Sequence, residues 1–225
     1  DMTDCGYYTY SFDRTFTVTD VCGNTITHTQ TINVEDVTAP VIACTSNILG
    51  NTVDTDVDVC EATVGSGLLT ASATDNCATN HLTYTYVVVD NSDASVYRTG
   101  AGSDAAGTYD KGSYTITFTA TDPCGNADDC SLTLDVEDNQ APYIACVGTL
   151  DVYLDDQGVA TIKNGDIVSA SSDNCPDAVV ALDKYTFDCA DVTAVTGNTI
   201  TVTATVTDAS GNTANCATVV TVIDA

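Results

Sequence analysis

Tyr114-Thr-Ile-Thr-Phe-Thr-Ala-Thr-Asp122-Pro-Cys-Gly-Asn126, with its continuation to Val136-Glu-Asp138, is the stretch that decides the fold. Up to Thr121 it alternates apolar residues with threonine, a period of two that is typical of a strand with one buried and one exposed face. Pro-Cys-Gly-Asn is turn chemistry, because its glycine can take a positive φ. The alternation resumes at Cys130 and continues to Val136, so the stretch predicts a β-hairpin.

This hairpin occurs three times along the chain. The pattern Thr-Asp-x-(Cys or Ser)-Gly-Asn begins at Thr19, Thr121 and Thr207, and each copy reaches a second aspartate sixteen residues after the first. Two other landmarks occur twice in the same order. They are Ala-Pro-x-Ile-Ala-Cys, which ends at Cys44 and Cys146, and Asp-Asn-Cys, which ends at Cys77 and Cys175. Because chance does not repeat several landmarks at matching spacing, the chain is a tandem array.

The repeats predict three segments: residues 1–38 as the end of a repeat, and 39–138 and 139–225 as full repeats. Residues 1–38 hold too few strands to close a sandwich. We therefore expect either that the chain is a window on a longer array, or that the missing strands come from another copy in a head-to-tail filament. The sequence stops at Ala225, where a next Ala-Pro strand would begin, and this favours continuation.

Short strands of alternating character fill both full repeats. In residues 1–38 the alternation predicts strands near 7–12, 14–19 and 25–34. In the full repeats it predicts strands near 41–48, 57–64, 82–90, 95–99, 113–121, 127–136, 143–154, 159–163, 179–187, 192–196, 199–207 and 214–223. This density of short strands predicts an all-β fold of tandem immunoglobulin-like β-sandwich domains. The chain has no tryptophan, so it is not an antibody-type domain.

The charge of the chain limits its partners. Five basic residues stand against 32 acidic ones, for a net charge of −27, and all but three of the acids are aspartates. Such a chain has no natural affinity for nucleic acid or for anionic membrane surfaces. Aspartate oxygens are ligands for hard cations, which would relieve the self-repulsion. The alternative is that the charge only keeps a surface protein in solution.

Eleven cysteines without a Cys-x-x-Cys spacing indicate disulfides and an oxidising compartment. Cys44 and Cys130 fall on the first and last strands of their repeat, which are neighbours in such a sandwich, and we expect them to pair. The same position predicts Cys146–Cys216. The remaining cysteines predict Cys5–Cys22 and Cys175–Cys189, with Cys60–Cys77 preferred over Cys77–Cys124 and one thiol left over.

The landmarks together resemble hyalin (HYR) and related immunoglobulin-like repeats of very large secreted adhesins of Bacteroidetes-type bacteria. The resemblance covers nearly the whole chain. It implies an extracellular, cell-surface array for adhesion, matrix or filament building. Ser210 departs from the pattern, because it replaces the cysteine of the turn.

In an immunoglobulin-like domain, the Asp-Asn-Cys loop, the last hairpin turn and the incoming linker share one pole. Several oxygens gathered there suit Ca²⁺, which takes six to eight oxygen ligands. The linker Val-Glu-Asp-Asn-Gln-Ala-Pro142 also resembles the calcium-binding linkers of cadherins. The alternative is that these residues only cap their turns. The expected ligands are Glu35, Asp36, Asp75, Asn76, Asp122 and Asn126 in one repeat, and Glu137, Asp138, Asp173, Asn174, Asp208 and Asn212 in the next, with Asp128 and Asp129 able to add to either role.

No nucleophile elbow, zinc helix or phosphate loop occurs, so the sequence predicts no enzyme. The main interpretation is a stiff stalk or fibre subunit whose partners are neighbouring repeats or copies of itself. The alternative is a calcium-dependent carbohydrate-binding module. That module would use the loop pole or the loop Thr99–Gly112, with Tyr97 and Tyr109 as the nearest aromatic residues for stacking on a sugar.

Overall fold

The structure is a computed structural model that describes residues 2–192 and 199–224, and its regular elements are almost all strands. The first eleven strands are β1 (Tyr10–Thr19), β2 (Thr25–Val34), β3 (Val41–Ser46), β4 (Thr52–Asp54), β5 (Glu61–Val64), β6 (Leu69–Thr74), β7 (Thr83–Asp90), β8 (Val96–Ala101), β9 (Gly107–Asp110), β10 (Gly112–Thr121) and β11 (Ala127–Glu137). The others are β12 (Tyr143–Cys146), β13 (Thr149–Tyr153), β14 (Val159–Thr161), β15 (Val168–Ser172), β16 (Val179–Leu182), β17 (Thr186–Asp188), β18 (Thr199–Thr207) and β19 (Thr213–Ile223).

The helical elements are short. They are the α-helix α1 (Asn164–Ile167) and the single 3₁₀ turns Cys5–Tyr7, Leu49–Asn51, Thr79–His81 and Cys189–Asp191. No helix in the described part of the chain is long and apolar enough to cross a membrane.

Strand β10 shows why the alternating sequence gives this fold. Tyr114, Ile116, Phe118 and Ala120 are buried, and the threonines between them are partly exposed. This confirms the prediction of an all-β chain with a buried and an exposed strand face. Burial of these apolar side chains supplies the main stabilisation of the sheet.

The structure divides into two compact units. Unit 1 comprises Asp1–Thr52, Val64–Thr108 and Gly112–Asp135, and unit 2 comprises Val53–Thr63, Tyr109–Lys111 and Val136–Ala225. The three segments 1–38, 39–138 and 139–225 that the repeats define stay a prediction.

Unit 2 shows the strand order of an immunoglobulin-like sandwich. Its larger sheet has the order β13-β19-β18-β16, in which β13 runs parallel to the last strand and the other pairs are antiparallel. Strands β12 and β15 form a separate antiparallel pair, and so do β14 and β17. Phe187, Ile167, Val202 and Val220 are fully buried between these sheets.

Unit 1 is built in the same way. Its main sheet contains the neighbouring strands β11-β10-β7-β8, and β3 pairs with β6. Phe118 packs against Tyr86 with their ring centroids 5.7 Å apart, and Tyr97 packs against Tyr114 at 4.9 Å. These contacts form the aromatic part of the core.

The first hairpin of unit 1 differs from its two repeats in burial. Strands β1 and β2 pair along their whole length, from Tyr10 opposite Val34 to Thr19 opposite Thr25. Phe16 is nevertheless 42% exposed, although Phe118 in the same register of the next repeat is fully buried. The hairpin forms from its local sequence, and its apolar face remains largely in contact with solvent.

Several strand bounds differ from those predicted. The stretch 143–154 is not one strand: it breaks at Val147-Gly148, and its halves join different sheets. Strands β6 and β15 were not predicted, because they consist largely of alanine, serine and threonine, in which the apolar alternation is weak. The predicted strand 192–196 lies outside the described residues except for Val192, which is not in a strand.

Four disulfides are present. Cys44–Cys130 and Cys146–Cys216 join the first and last strands of their repeats, as the sequence predicts. The other predicted pairs are wrong, because Cys5 bonds Cys124 and Cys60 bonds Cys175. Cys22, Cys77 and Cys189 are free and exposed, so three thiols remain where one was expected. The error arose from pairing cysteines within a repeat, whereas both corrected bridges join residues of successive repeats.

Candidate metal centres at two aspartate trios

The turn Asp122–Asn126 is built around its aspartate. The Asp122 carboxylate accepts hydrogen bonds from the backbone N–H and the side-chain amide of Asn126, at 2.9 and 2.8 Å. Asp208 and Asn212 make the same two bonds, both at 2.8 Å. Asp122 and Asp208 are only 4% and 6% exposed. The motif therefore folds locally into a turn around its aspartate, and in these two copies the carboxylate is also buried.

The side-chain amide of the same asparagine also binds the linker. Asn126 donates to the main-chain oxygen of Asp36 at 3.1 Å, and Asn212 donates to that of Asp138 at 2.9 Å. Asp36 and Asp138 are buried. These bonds bring the linker aspartate beside the aspartate of the turn.

The Asp-Asn-Cys loop supplies a third carboxylate in each unit. One oxygen of Asp75 accepts from the backbone N–H groups of Cys77 and Ala78, at 2.8 and 2.7 Å. One oxygen of Asp173 accepts from the N–H of Cys175 at 3.3 Å. In both aspartates the other carboxylate oxygen is buried and has no hydrogen-bond partner.

Among the residues that the structure describes, each unit therefore holds one trio of carboxylates. Trio 1 is Asp36, Asp75 and Asp122, and trio 2 is Asp138, Asp173 and Asp208; in each, one oxygen per residue lies within 4.8 Å of the others. Three charges at this separation repel each other unless a proton or a cation neutralises them. Oxygens bound to one Ca²⁺ lie 2.3–2.6 Å from the ion, so their mutual separations fall in this range. The donor set is all oxygen, which suits Ca²⁺ and does not suit a structural zinc site.

The two trios differ in how many carboxylate oxygens lack a partner. In trio 1, Asp36 Oδ2 and Asp75 Oδ2 are both buried without one, although Asp36 is only 8% exposed. In trio 2, Asp138 accepts from the side chains of Asn174 and Ser210, each at 3.2 Å. An unpartnered buried carboxylate oxygen is costly, and a bound cation removes that cost. Trio 1 thus has the greater need for a cation.

Titrating side chains near trio 1 are affected by its charge. The pKa of the Cys77 thiol is raised, first by partial desolvation and then by the negative charges of Asp36, Asp75 and Asp122. The pKa of Tyr8 is raised by burial, and then by Tyr7, Cys77, Asp75 and Asp36. In both groups the negative charge nearby adds to the larger effect of desolvation.

The trio aspartates are six of the twelve residues that the sequence nominates. Glu35, Asn76 and Glu137 are exposed and stand outside the trios, and Asp128 and Asp129 are exposed on β11. Asn126 and Asn212 donate through their amides to the turns and linkers, which is the capping role named as the alternative. Asn174 donates to Asp138, and its own side-chain oxygen is buried without a partner, so it offers trio 2 a fourth ligand.

Supporting residues of trio 2 were not foreseen. Gln140 donates through its side-chain amide to Thr55 Oγ1 at 3.0 Å and to the carbonyl of Asp56 at 2.9 Å. Asn174 also donates to Thr55 Oγ1, at 3.2 Å. Gln140 belongs to the linker motif, but nothing in the sequence indicates that residues near Thr55 lie beside it.

Comparison with known proteins gives similarity of structure alone. No family model matches the chain, and no curated protein matches it, so the resemblance to hyalin repeats stays a prediction. Similar solved structures include mouse cadherin-23 EC22–24, with 14% identity, a TM-score of 0.39, and coverage of 97% of this chain and 75% of that one. Another is protocadherin gamma B2 extracellular cadherin domains 1–5, with 15% identity, a TM-score of 0.38, and coverage of 99% and 47%.

A third similar structure is a Ca²⁺-stabilised adhesin that helps an Antarctic bacterium to reach out and bind ice. It has 16% identity and a TM-score of 0.34, with coverage of 96% of this chain and 57% of that one. The chain thus spans about half to three quarters of the length of these proteins. At such identities and TM-scores the likeness carries no conclusion about function.

Proposed function

We propose that this chain is a structural and adhesive segment of an extracellular or cell-surface protein, a stalk or fibre made of immunoglobulin-like repeats that bind Ca²⁺. The observation that carries the proposal is trio 1: Asp36, Asp75 and Asp122 converge within 4.8 Å, and Asp36 Oδ2 is buried without a partner. A site of this kind is costly to fold empty and gains stability when a divalent cation binds.

The disulfides support an extracellular setting. Four bridges and threonine-rich strands suit a secreted protein that must keep its fold without a large apolar core. The net charge of −27 is compatible with a surface exposed to divalent cations, and copies or neighbouring repeats are the proposed partners. The role is mechanical, and no catalytic step is proposed.

Calcium would act on each trio by fixing three separate segments to each other. In trio 1 these are the linker at Asp36, the loop at Asp75 and the turn at Asp122. In the absence of the ion, the same carboxylates repel each other, and the linker at Asp36 keeps the bonds that it makes with Asn126 and with Thr9. Calcium is therefore expected to stiffen the linker as well as to stabilise the fold.

The carbohydrate-binding alternative is not proposed. Tyr109 is fully buried, and Tyr97 packs against Tyr114. The aromatic rings nominated for stacking on a sugar are thus engaged in packing.

The test is thermal unfolding of the oxidised protein in millimolar CaCl₂, in millimolar MgCl₂ and in excess EDTA. We expect the highest melting temperature in CaCl₂ and the lowest in EDTA. Magnesium should give a smaller gain, because it requires a more regular octahedral site. Identical melting curves in CaCl₂ and EDTA would remove calcium from the proposal.

A further inference from the structure

Each cysteine of the Cys5–Cys124 bridge has an equivalent cysteine at the same position of another repeat, and both equivalents are unpaired. Cys5 begins a 3₁₀ turn just before the hairpin of its repeat, and Cys124 lies in the hairpin turn of the next repeat. Cys189 repeats the first position and Cys22 repeats the second, and both are free and exposed.

Cys22 lies in a turn that has the same geometry as the turn of Cys124. Asp20 accepts from the N–H and the side-chain amide of Asn24, both at 2.8 Å, as Asp122 does from Asn126 at 2.9 and 2.8 Å. The glycine after each cysteine has φ +87°, in the left-handed region that only glycine adopts readily. The backbone therefore holds the Cys22 thiol as it holds Cys124 in its bridge.

Cys189 has the same local backbone geometry as Cys5. Each cysteine opens a three-residue 3₁₀ turn whose N-cap aspartate, Asp4 or Asp188, accepts from the second residue of the turn at 2.8 Å. A Cβ on Gly158 would lie 2.6 Å from Cys189 Sγ. Glycine at this position thus leaves room for the sulfur.

A cleft lies beside Cys189 and shares features with the junctions that hold trios 1 and 2. It has a volume of about 520 Å³, and its lining includes Cys189, Gly158, Asp155 and Asp224. Asp224 stands sixteen residues after Asp208, as Asp36 and Asp138 stand after their turn aspartates. In trios 1 and 2 such a linker aspartate receives the turn asparagine of the next repeat on its main-chain oxygen. Asp224 is exposed, and Asn24 is the asparagine of a turn that contains a free cysteine.

We propose that a second copy of this chain docks its Asp20–Asn24 turn in this cleft, and that Cys22 of that copy forms a disulfide with Cys189. The result is a covalent head-to-tail polymer. Exposed apolar side chains next to the turn, Val18, Val21 and Ile26, favour contact with another protein surface. The link deepens the proposed function, because it rests on an oxidising extracellular setting.

The chemistry is thiol–disulfide exchange with a low-molecular-weight disulfide such as glutathione disulfide. The Cys189 thiolate attacks the oxidant, forms a mixed disulfide and releases one glutathione thiolate. The Cys22 thiolate of the other copy then attacks the Cys189 sulfur and releases the second glutathione. Two protein thiols are oxidised to one disulfide, and the oxidant is reduced to two thiols.

The experiment oxidises the purified chain with glutathione disulfide and separates the products by non-reducing electrophoresis. Because each copy carries a net charge of −27, the reaction is run in CaCl₂ at physiological salt, which screens the repulsion. We expect the native chain to give a ladder of dimers and higher oligomers that collapses on reduction. Mass spectrometry of an isotopically light and heavy mixture should find mixed Cys22–Cys189 peptides.

Single variants make the test specific. Cys22→Ser and Cys189→Ser should each remain monomeric, whereas their equimolar mixture should give dimers and nothing larger, because it contains one thiol of each kind. Cys77→Ser is the matched control and should form the native ladder. A monomeric native chain, a ladder that requires Cys77, or links between like cysteines would each overturn the proposal.

The outcome is separable from that of the calcium test. A melting curve that responds to chelation without any ladder would remove only the covalent link. A ladder at high salt, together with a melting curve that does not change on chelation, would contradict only the proposal of calcium binding.

Discussion

Asn126 donates its side-chain amide to the main-chain oxygen of Asp36 at 3.1 Å, although the two residues are 90 positions apart in the sequence. The same amide donates to the Asp122 carboxylate at 2.8 Å. One side chain therefore joins the hairpin turn to the linker of the preceding repeat. Asn212 makes the equivalent bonds to Asp138 and Asp208.

The first prediction concerns this connection. Asn126→Ala removes the side-chain donor to the partly buried main-chain oxygen of Asp36 and to one oxygen of the buried Asp122 carboxylate, and should lower the free energy of unfolding by about 1–3 kcal/mol. Asn24→Ala is the control, because Asn24 makes the same bonds to Asp20 in an exposed turn and should cost about 1 kcal/mol or less. Urea unfolding monitored by circular dichroism measures both. Equal losses would mean that the linker bond contributes nothing.

The second prediction concerns the two trios. Asp36→Asn removes one charge from trio 1, so we expect calcium titration to show one fewer bound ion. In EDTA the same variant should be more stable than the native chain, because fewer carboxylates repel each other. Asp156→Asn changes the net charge equally at an exposed aspartate outside both trios, and it should match the native chain in both measurements. A native stoichiometry in Asp36→Asn would contradict the assignment of that ligand.

Features that depend on residues close together in the sequence could be predicted from it, whereas contacts between distant residues could not. The alternation in Tyr114–Thr121 predicts a strand because the period of two is local, and the turns follow from Asp, Gly and Asn at fixed offsets. The trio aspartates were nominated because immunoglobulin-like topology brings their loops to one pole. The Cys5–Cys124 and Cys60–Cys175 bridges were missed because they span 119 and 115 residues, and the spacing of cysteines does not encode which of several free partners is close.

The capping role of the asparagines also depends on geometry that the sequence does not contain. Asn126, nominated as an oxygen ligand, donates its amide nitrogen to the main-chain oxygen of Asp36, whereas Asn174 donates to the Asp138 carboxylate and keeps its own side-chain oxygen unpartnered. Carboxamides serve equally as donors and acceptors, so residue type alone cannot decide between these roles. The oxygens that accept from these amides, the main-chain oxygen of Asp36 and the carboxylate of Asp138, are distant in sequence.

The third prediction concerns pH. Hydrogen bonds from the Ser66 hydroxyl and from the N–H groups of Gly67 and Ala106 lower the pKa of Asp104 below its ordinary value of 3.8, although partial burial opposes the shift. Because the pKa is lower in the folded state, the stabilisation is complete above pH 3.8 and is lost as the pH falls through the folded-state value. The native chain should therefore lose stability in acid more steeply than Asp104→Asn.

The measurement for Asp104 is the urea midpoint at a series of pH values between about 2 and 7, in EDTA, so that metal binding does not contribute. Asp156→Asn should keep the native slope, since its carboxylate is exposed and is not part of this hydrogen-bond network. If Asp104→Asn follows the native curve throughout, the hydrogen bonds to Asp104 do not stabilise the fold.

The last prediction concerns the bridge Cys146–Cys216, which joins β12 to β19 across 70 residues in unit 2. Replacing both cysteines with serine removes a constraint on the unfolded chain, and should lower the free energy of unfolding by about 2–5 kcal/mol. Cys77→Ser is the control, because Cys77 is free and exposed and its loss opens no loop. Its unfolding midpoint should stay close to that of the native chain. Unfolding in urea without reductant measures the difference. In reductant, the native chain should be less stable than the double variant is without reductant, because the other three bridges then open as well.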